Sequence, residues 1–441
     1  MSNWILPADL IAWLTSLLWT LDARVQPRIV SLLVGALFAQ GRRTVSRWIV
    51  AAGVSEDFKP HYYALYSLGR KTEHFATQVL RLVIRTLAPQ DRLVLALDDS
   101  LSKRYGPRVE GAGMHHNPTP GRTDSKFAYG HVWVMLSWVL RHPQWGTIGL
   151  PLLAKLYIRR KDLAKIPRHY RWKFQTKLEL AATLVEWAAK WLQWLQLPLW
   201  IAVDGAYAKR AFLARALKQG ATVVSRLRKD AALCDLPPKR RPGQRGAPRK
   251  YGERIDLRRR AVHRQGWQRG EFWLYGESVV KTYKTFLATY RPVAGVIRVV
   301  IVKEPDGWRA WFCTDPHASV QEILETVADR GAIEQNFHDL KEVHGAGQQQ
   351  LRNVWANIGA WHLLMWLFTL IELRSWNKPP EELADRTARP WDNQPRRPSH
   401  ADKRNALRRE LLQKTFSHAC RPQAQTQEIQ PLLKRLVTLV T

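Results

Sequence analysis

The stretch RLVLALDDS, Arg92 to Ser100, decides how this chain is read. Its apolar run from Leu93 to Leu97 has the length of a buried strand and is too short for a core helix. It ends abruptly on two acids, Asp98 and Asp99. A carboxylate at the carboxyl end of a buried strand faces the crevice in which open α/β sheets hold ligands. A second run of the same shape, LPLWIAVDGAY at 197–207, ends on Asp204. Either acid alone could simply start a turn or cap a helix.

Working outward, AYGHVWVMLSWVL (128–140) and TIGLPLLAKLYI (147–158) are rich in β-formers and predict two further strands. The Gly/Pro-containing segment YGPRVEGAGMHHNPTPGRTD (105–124) reads as the loop before them. The Leu/Val/Trp spacing of WKFQTKLELAATLVEWAAKWLQWL (172–195) predicts a helix packed on the sheet. After the second acid-ended strand come a helix, AKRAFLARALKQG, and a strand, ATVVSRL. This alternation predicts an α/β fold with a mixed sheet flanked by helices.

The flanks differ. Residues 1–90 read as helices, and RIVSLLVGALFAQG followed by RRTVSRWIVAAGV has the size of a helix-turn-helix, with Arg42, Arg43 and Arg47 as candidate DNA contacts. The first part of the sheet region spans 91–227. From 228 to 316 the alternation breaks into a basic loop and several antiparallel strands, read as a β-rich insertion. Arg240, Arg241, Arg245, Arg249 and Lys250 make that loop a candidate phosphate-contacting arm. Helices return over 317–375, and 376–441 reads as a polar, Pro-rich tail with one more helix. The run from Val354 to Ile371 lacks charge, but Asn357 and His362 within it predict a buried core helix rather than a membrane span. The apolar N-terminus is interrupted by Asp9 and has no basic residue before it, so a packed helix is expected there too.

Composition narrows the partners. With 69 Lys and Arg against 37 Asp and Glu the formal charge is +32, a self-repulsion that points to a polyanion, nucleic acid above all. The three cysteines, Cys234, Cys313 and Cys420, are too scattered for a zinc site or a disulfide framework, which fits a reducing cytoplasm.

In so basic a chain, two strand-end acids invite a third. Glu334 lies in RGAIEQNFHDLK (330–341), where helical spacing puts Arg330, Glu334 and Lys341 on one face. Carboxylates gathered together need cations between them, and hard oxygen ligands select Mg²⁺ or Mn²⁺. Two such ions can clamp the attacking and leaving oxygens of a phosphodiester, and flanking bases can hold its neighbours. The reaction class is phosphoryl transfer on DNA or RNA. Taken alone, the charged helix face would be an ordinary solvated one.

LALDDS, IAVDGAY and the R-x3-E-x6-K pattern of Arg330, Glu334 and Lys341 resemble the D-D-E triad and signature helix of cut-and-paste DDE transposases from bacterial insertion sequences. RGAPRKYG (245–252) and GQQQLRN (347–353) also resemble segments of that family. The likeness implies an RNase H-like core with a β-strand insertion between the second Asp and the Glu. The spacings agree with such an insert (204 − 98 = 106 and 334 − 204 = 130). It further implies Asp98, Asp204 and Glu334 as catalytic metal ligands, with Asp99 replacing Asp98 if the strand register differs by one. Two Mg²⁺ or Mn²⁺ ions and Arg330 and Lys341 on DNA phosphates belong to the same implication. So do binding to double-stranded terminal inverted repeats and target DNA, a dimer in the DNA-bound complex, and a cytoplasmic, nucleoid-associated endonuclease in a bacterium. Val327 stands where the family's fuller signature has Tyr. A hydrolytic nuclease without strand transfer, or an inactive transposase-derived DNA-binding protein, would carry much of the same pattern.

Overall fold

The computed structural model describes residues 4–54, 56–87, 91–117, 120, 125–240, 244–384, 391 and 396–419. Helices α1 (Ala8–Leu18), α2 (Gln26–Phe38), α3 (Val45–Ala51), α4 (Lys59–Arg70) and α5 (Thr72–Thr86) come first. The sheet begins with β1 (Leu93–Lys103), β2 (Gly113–His116), β3 (Phe127–His142) and β4 (Gly146–Tyr157). Next are α6 (Lys177–Leu192), β5 (Leu199–Val203), α7 (Arg210–Lys218) and β6 (Thr222–Leu227). Then follow β7 (Leu233–Cys234), β8 (Arg254–Ile255), α8 (Leu257–Val262), β9 (Gln268–Leu274), β10 (Glu277–Tyr290), β11 (Gly295–Glu304) and β12 (Gly307–Cys313). Helices α9 (Val320–Asp329), α10 (Gly331–Glu342), α11 (Val354–Ser375), α12 (Pro380–Leu383) and α13 (His400–Ala419) close the described chain.

Leu93 to Leu97 are buried on both faces because β1 lies inside the sheet, antiparallel to β3 and parallel to β5. The parallel pairings β1–β5 and β5–β6 sit among antiparallel ones, which makes the sheet mixed and RNase H-like. The strand order is β2-β3-β1-β5-β6-β12-β11-β10-β7-β8, with β4 on β3 and β9 on β10.

Helix α6 starts on a capping box, Thr176 with Glu179, and α9 on another, Ser319 with Glu322. Helix α11 is long and apolar enough to cross a membrane, yet 94% of its apolar window is buried inside the fold, so it is a core helix. It crosses α4 where Gly69 and Gly359 meet: a Cβ on Gly359 would lie 2.0 Å from the Leu65 carbonyl oxygen, and one on Gly69 would lie 1.8 Å from that of Trp355.

Several expectations change in three dimensions. The supposed loop 105–124 contains β2, which pairs with the start of β3 through Gly113 to His116. The β-rich stretch after residue 228 also joins the central sheet: β12 hydrogen-bonds with β6, so its strands prolong that sheet. Arg330 is not inside one signature helix but at the junction of α9 and α10. The second element of the supposed helix-turn-helix, α3, runs only from Val45 to Ala51. Helix α13 begins within the stretch read as an extended tail, because His400 and Lys403 have a buried partner, Glu372 on α11.

Candidate active site

Strand pairing builds the site. The β1–β5 ladder runs in register from Leu93 opposite Leu199 to Leu97 opposite Val203, so Asp98 and Asp204 are the next residues where this parallel pairing stops; β5 ends there, whereas β1 does not end on its acids but continues along β3 to Lys103. Asp204 turns the chain at once: its carboxylate accepts the Ala206 N–H at 3.3 Å. Gly205 follows because a Cβ there would press to 3.0 Å from the Arg226 carbonyl oxygen on β6.

The two acids midway along β1 face opposite ways, as alternate strand residues must. Asp98 turns toward the α9–α10 junction, where Arg330 Nη1 donates to Oδ2 at 2.8 Å, while its other oxygen accepts the Asp99 N–H at 2.8 Å. Asp99 accepts from Lys177 Nζ at 2.6 Å and from the Tyr207 hydroxyl at 2.7 Å, on elements of the other layer. Burial raises the Asp98 carboxyl to about 6 even though Arg330 pulls the other way, with Asp99 and Asp204 adding repulsion. The Tyr207 phenol is pushed well above its ordinary value by burial and by the same three carboxylates.

Arg330 also donates to Glu334 one turn on. A single guanidinium therefore bridges the Asp98 and Glu334 carboxylates, with only 23% of its side chain exposed. Further along α10, Lys341 donates to the Ser100 hydroxyl at 2.6 Å, two residues beyond Asp98 on the same strand face. Arg330, Glu334 and Lys341 thus share a helix face that lies along β1.

That face is aimed by contacts on the far side. Asn336 donates to the Gly149 carbonyl of β4 at 2.9 Å, and Asp329 accepts from Arg141 at 2.9 Å and from Thr147 at 2.7 Å. Val327 packs partly buried against the core. Among the described residues no group of three or more His, Cys, Asp or Glu stands assembled around one point. The Arg330 guanidinium stands between two of the carboxylates, those of Asp98 and Glu334.

Of the other expected contacts, Arg42 and Arg47 are exposed at the turn into α3. Arg43 is half-buried and committed: its guanidinium donates to the Glu342 carbonyl at the end of α10, and its backbone N–H to Gln348. Arg240 folds back onto the Gln244 and Gly246 carbonyls of its own loop, while Arg245, Arg249 and Lys250 are exposed there. Arg241 lies outside the described residues. His131 is fully buried, accepting from Arg104 and bonding the Glu110 carbonyl, so it is a structural imidazole.

Sequence reasoning missed Lys177 and Tyr207. Tyr207 carried a faint signal, three residues after a strand-end Asp; Lys177 carried none, because only the packing of α6 brings it to β1.

Two family models match the chain. One, described as a DDE superfamily endonuclease, covers residues 17–272, and the other, a transposase DDE domain, covers 177–370. The first takes in Asp98 and Asp204, and the second Asp204, Glu334 and Lys341. No curated protein matches the chain.

Proposed function

The chain belongs to the DDE superfamily of endonucleases and carries a transposase DDE domain, and on that premise we propose that it is a working DNA transposase. It binds the terminal inverted repeats of its own element, cleaves at the element ends and joins the freed 3′-hydroxyls to target DNA. Since two ends must be held together, it acts as at least a dimer on DNA, in the cytoplasm with the nucleoid.

The observation that carries this reading is that Asp98 and Asp204 each follow the last pair of the parallel β1–β5 ladder, with Glu334 tied to Asp98 through Arg330. Asp98, Asp204 and Glu334 are the residues to hold divalent cations, two Mg²⁺ or Mn²⁺ ions in this proposal. Their donor atoms are all carboxylate oxygens, which suit hard ions, and Asp98 and Glu334 already share one positive charge, the Arg330 guanidinium. Such ions, when bound, activate the attacking oxygen and offset charge on the leaving one.

The chain's own groups orient the strand. Arg330 exchanges its carboxylate partners for a phosphate oxygen beside the scissile bond, and Lys341 holds the next phosphate from its seat on Ser100. Lys177 and Tyr207 keep Asp99 turned from Asp98, which limits repulsion at the site.

The test uses duplexes carrying the inverted repeats that flank the gene, intact and pre-cleaved, with Mn²⁺. The wild-type protein should cleave the first and join the second to a plasmid, while Asp204→Asn should do neither and still bind DNA. Cleavage without joining would mark a hydrolytic nuclease. Unimpaired cleavage by Asp204→Asn would overturn the site assignment.

A further inference from the structure

Arg104 follows β1 and continues its ladder, its N–H bonded to the Tyr129 carbonyl at 2.9 Å. By strand alternation it lies on the same face as Asp98, Ser100 and Ser102. Its side chain is buried, with 6% of the residue exposed. The Nε–H donates to His131 Nδ1 at 3.2 Å, while Nη1 is buried without a hydrogen-bond partner among the described residues. Among the described residues no carboxylate lies within ion-pair distance of it.

The imidazole that holds Arg104 supplies no counter-charge. His131 accepts at Nδ1, so its proton sits on Nε2 and is donated to the Glu110 carbonyl at 2.9 Å. Burial, reinforced by Arg104 itself, holds this histidine down at about 3. A neutral hydrogen bond therefore positions a buried guanidinium and leaves its charge uncompensated. Arrangements of this kind are costly in a free protein and become favourable when an anion arrives.

Arg104 lines a cavity of about 390 Å³. Around it stand Arg42, Arg108, Arg352 and Tyr105, and no acidic residue is part of the wall. Arg42, Arg108 and Arg352 are exposed, and Tyr105 is 75% exposed. A second cavity of about 480 Å³ shares Gln350, Leu351 and Arg352 with the first and adds Lys59 and the tyrosines of α4. A basic mouth with an exposed ring and a buried cation at its back has the chemistry of a phosphodiester site.

Position gives the site a role. At about 3.3 Å per residue, Arg104 lies roughly 20 Å along β1 from Asp98. Lys341, bound to Ser100, stands between them. We infer that this cavity binds a backbone phosphate of the DNA substrate a few nucleotides from the scissile bond, with the adjacent base laid on Tyr105. The inference rests on the transposase reading and adds to it a fixed second grip on the strand.

Fluorescence anisotropy of the full chain with a 5′-labelled duplex, and with one strand of it alone, measured across a KCl series, tests this. Arg108→Gln combined with Arg352→Gln, both exposed, should weaken binding about tenfold and flatten the log–log salt slope by roughly one to two units. Arg104→Met should weaken binding similarly and raise the melting temperature of the DNA-free protein, since it removes an unpaired buried charge. Unchanged affinity and slope in the double variant, with normal wild-type binding, would overturn the cavity assignment alone. A lowered melting temperature with full DNA affinity in Arg104→Met would also overturn it, by making the guanidinium structural. Salt-insensitive or absent DNA binding by the wild-type protein would overturn both this site and the transposase reading.

Discussion

Arg330 Nη1 stands 2.8 Å from the Asp98 carboxylate and is its salt-bridge partner midway along β1. Without metal, this guanidinium is what makes a buried carboxylate tolerable. Arg330→Ala should therefore cost about 3 kcal/mol of stability at pH 8. Burial raises the folded-state Asp98 carboxyl from its ordinary 3.8 to about 6. Between those values the folded protein keeps a proton the unfolded chain has lost, so this residue's contribution to stability falls as pH rises through that window. At pH 5 Asp98 is largely neutral and the variant should lose far less. Urea denaturation at both pH values, with chelator present, checks this; equal losses would contradict it.

The α4–α11 crossing depends on two glycines. Gly359→Ala would drive a methyl to 2.0 Å from the Leu65 carbonyl, so the helices must part. A loss of about 3 kcal/mol is expected from such overpacking. Gly331→Ala, at the first turn of α10, meets nothing within 4 Å and should be neutral or add up to about 1 kcal/mol. Denaturant midpoints of the two variants should move in opposite directions or differ widely.

Glu372 anchors α13 from inside α11, accepting from Lys403 at 2.6 Å and bonding His400 at 2.6 Å. Burial alone would raise this carboxyl, but Lys403 and His400 outweigh it and bring it down to about 2. Its contribution is present above the unfolded value of 4.5 and is lost as pH falls toward 2. Glu372→Gln should cost about 3 kcal/mol at pH 7 by stranding Lys403, and its stability should fall less steeply than wild type between pH 4.5 and 2.5. Thermal melts across that range check it.

DNA affinity should be strongly electrostatic in a chain of formal charge +32. If about ten phosphates are neutralised, the log–log dependence of the binding constant on salt should have a slope of roughly −9. Titrations between low and physiological KCl measure it, and a flat response would count against a DNA substrate.

How legible each part was follows from the range of the interactions involved. Strands β1, β3 and β5 announce themselves because buried strands need unbroken apolar runs, and α11 because a fully buried helix has no polar face. β2 was hidden because GMHH has no apolar run; the antiparallel edge of β3 makes it a strand. The bases flanking Glu334 could be seen on one helix face, but their partners could not. Arg330 paired with Asp98, Lys341 seated on Ser100 and Arg43 tied to Glu342 are contacts between residues hundreds of positions apart in sequence.

By itself the sequence determined the apolar strands and the acids that follow their apolar runs, the α/β alternation, the buried apolar helix and the expectation of a polyanionic partner, but not that β1 runs on past its acids to Lys103. These follow from burial periodicity and net charge, which neighbouring residues carry among themselves. Only the tertiary structure decided that Asp98 faces Arg330 while Asp99 faces Lys177, that β12 rejoins the sheet on β6, and that Arg104 is buried with no counter-charge among the described residues. Strand alternation required Asp98 and Asp99 to face opposite ways; packing of α10 against β1 chose which way each points.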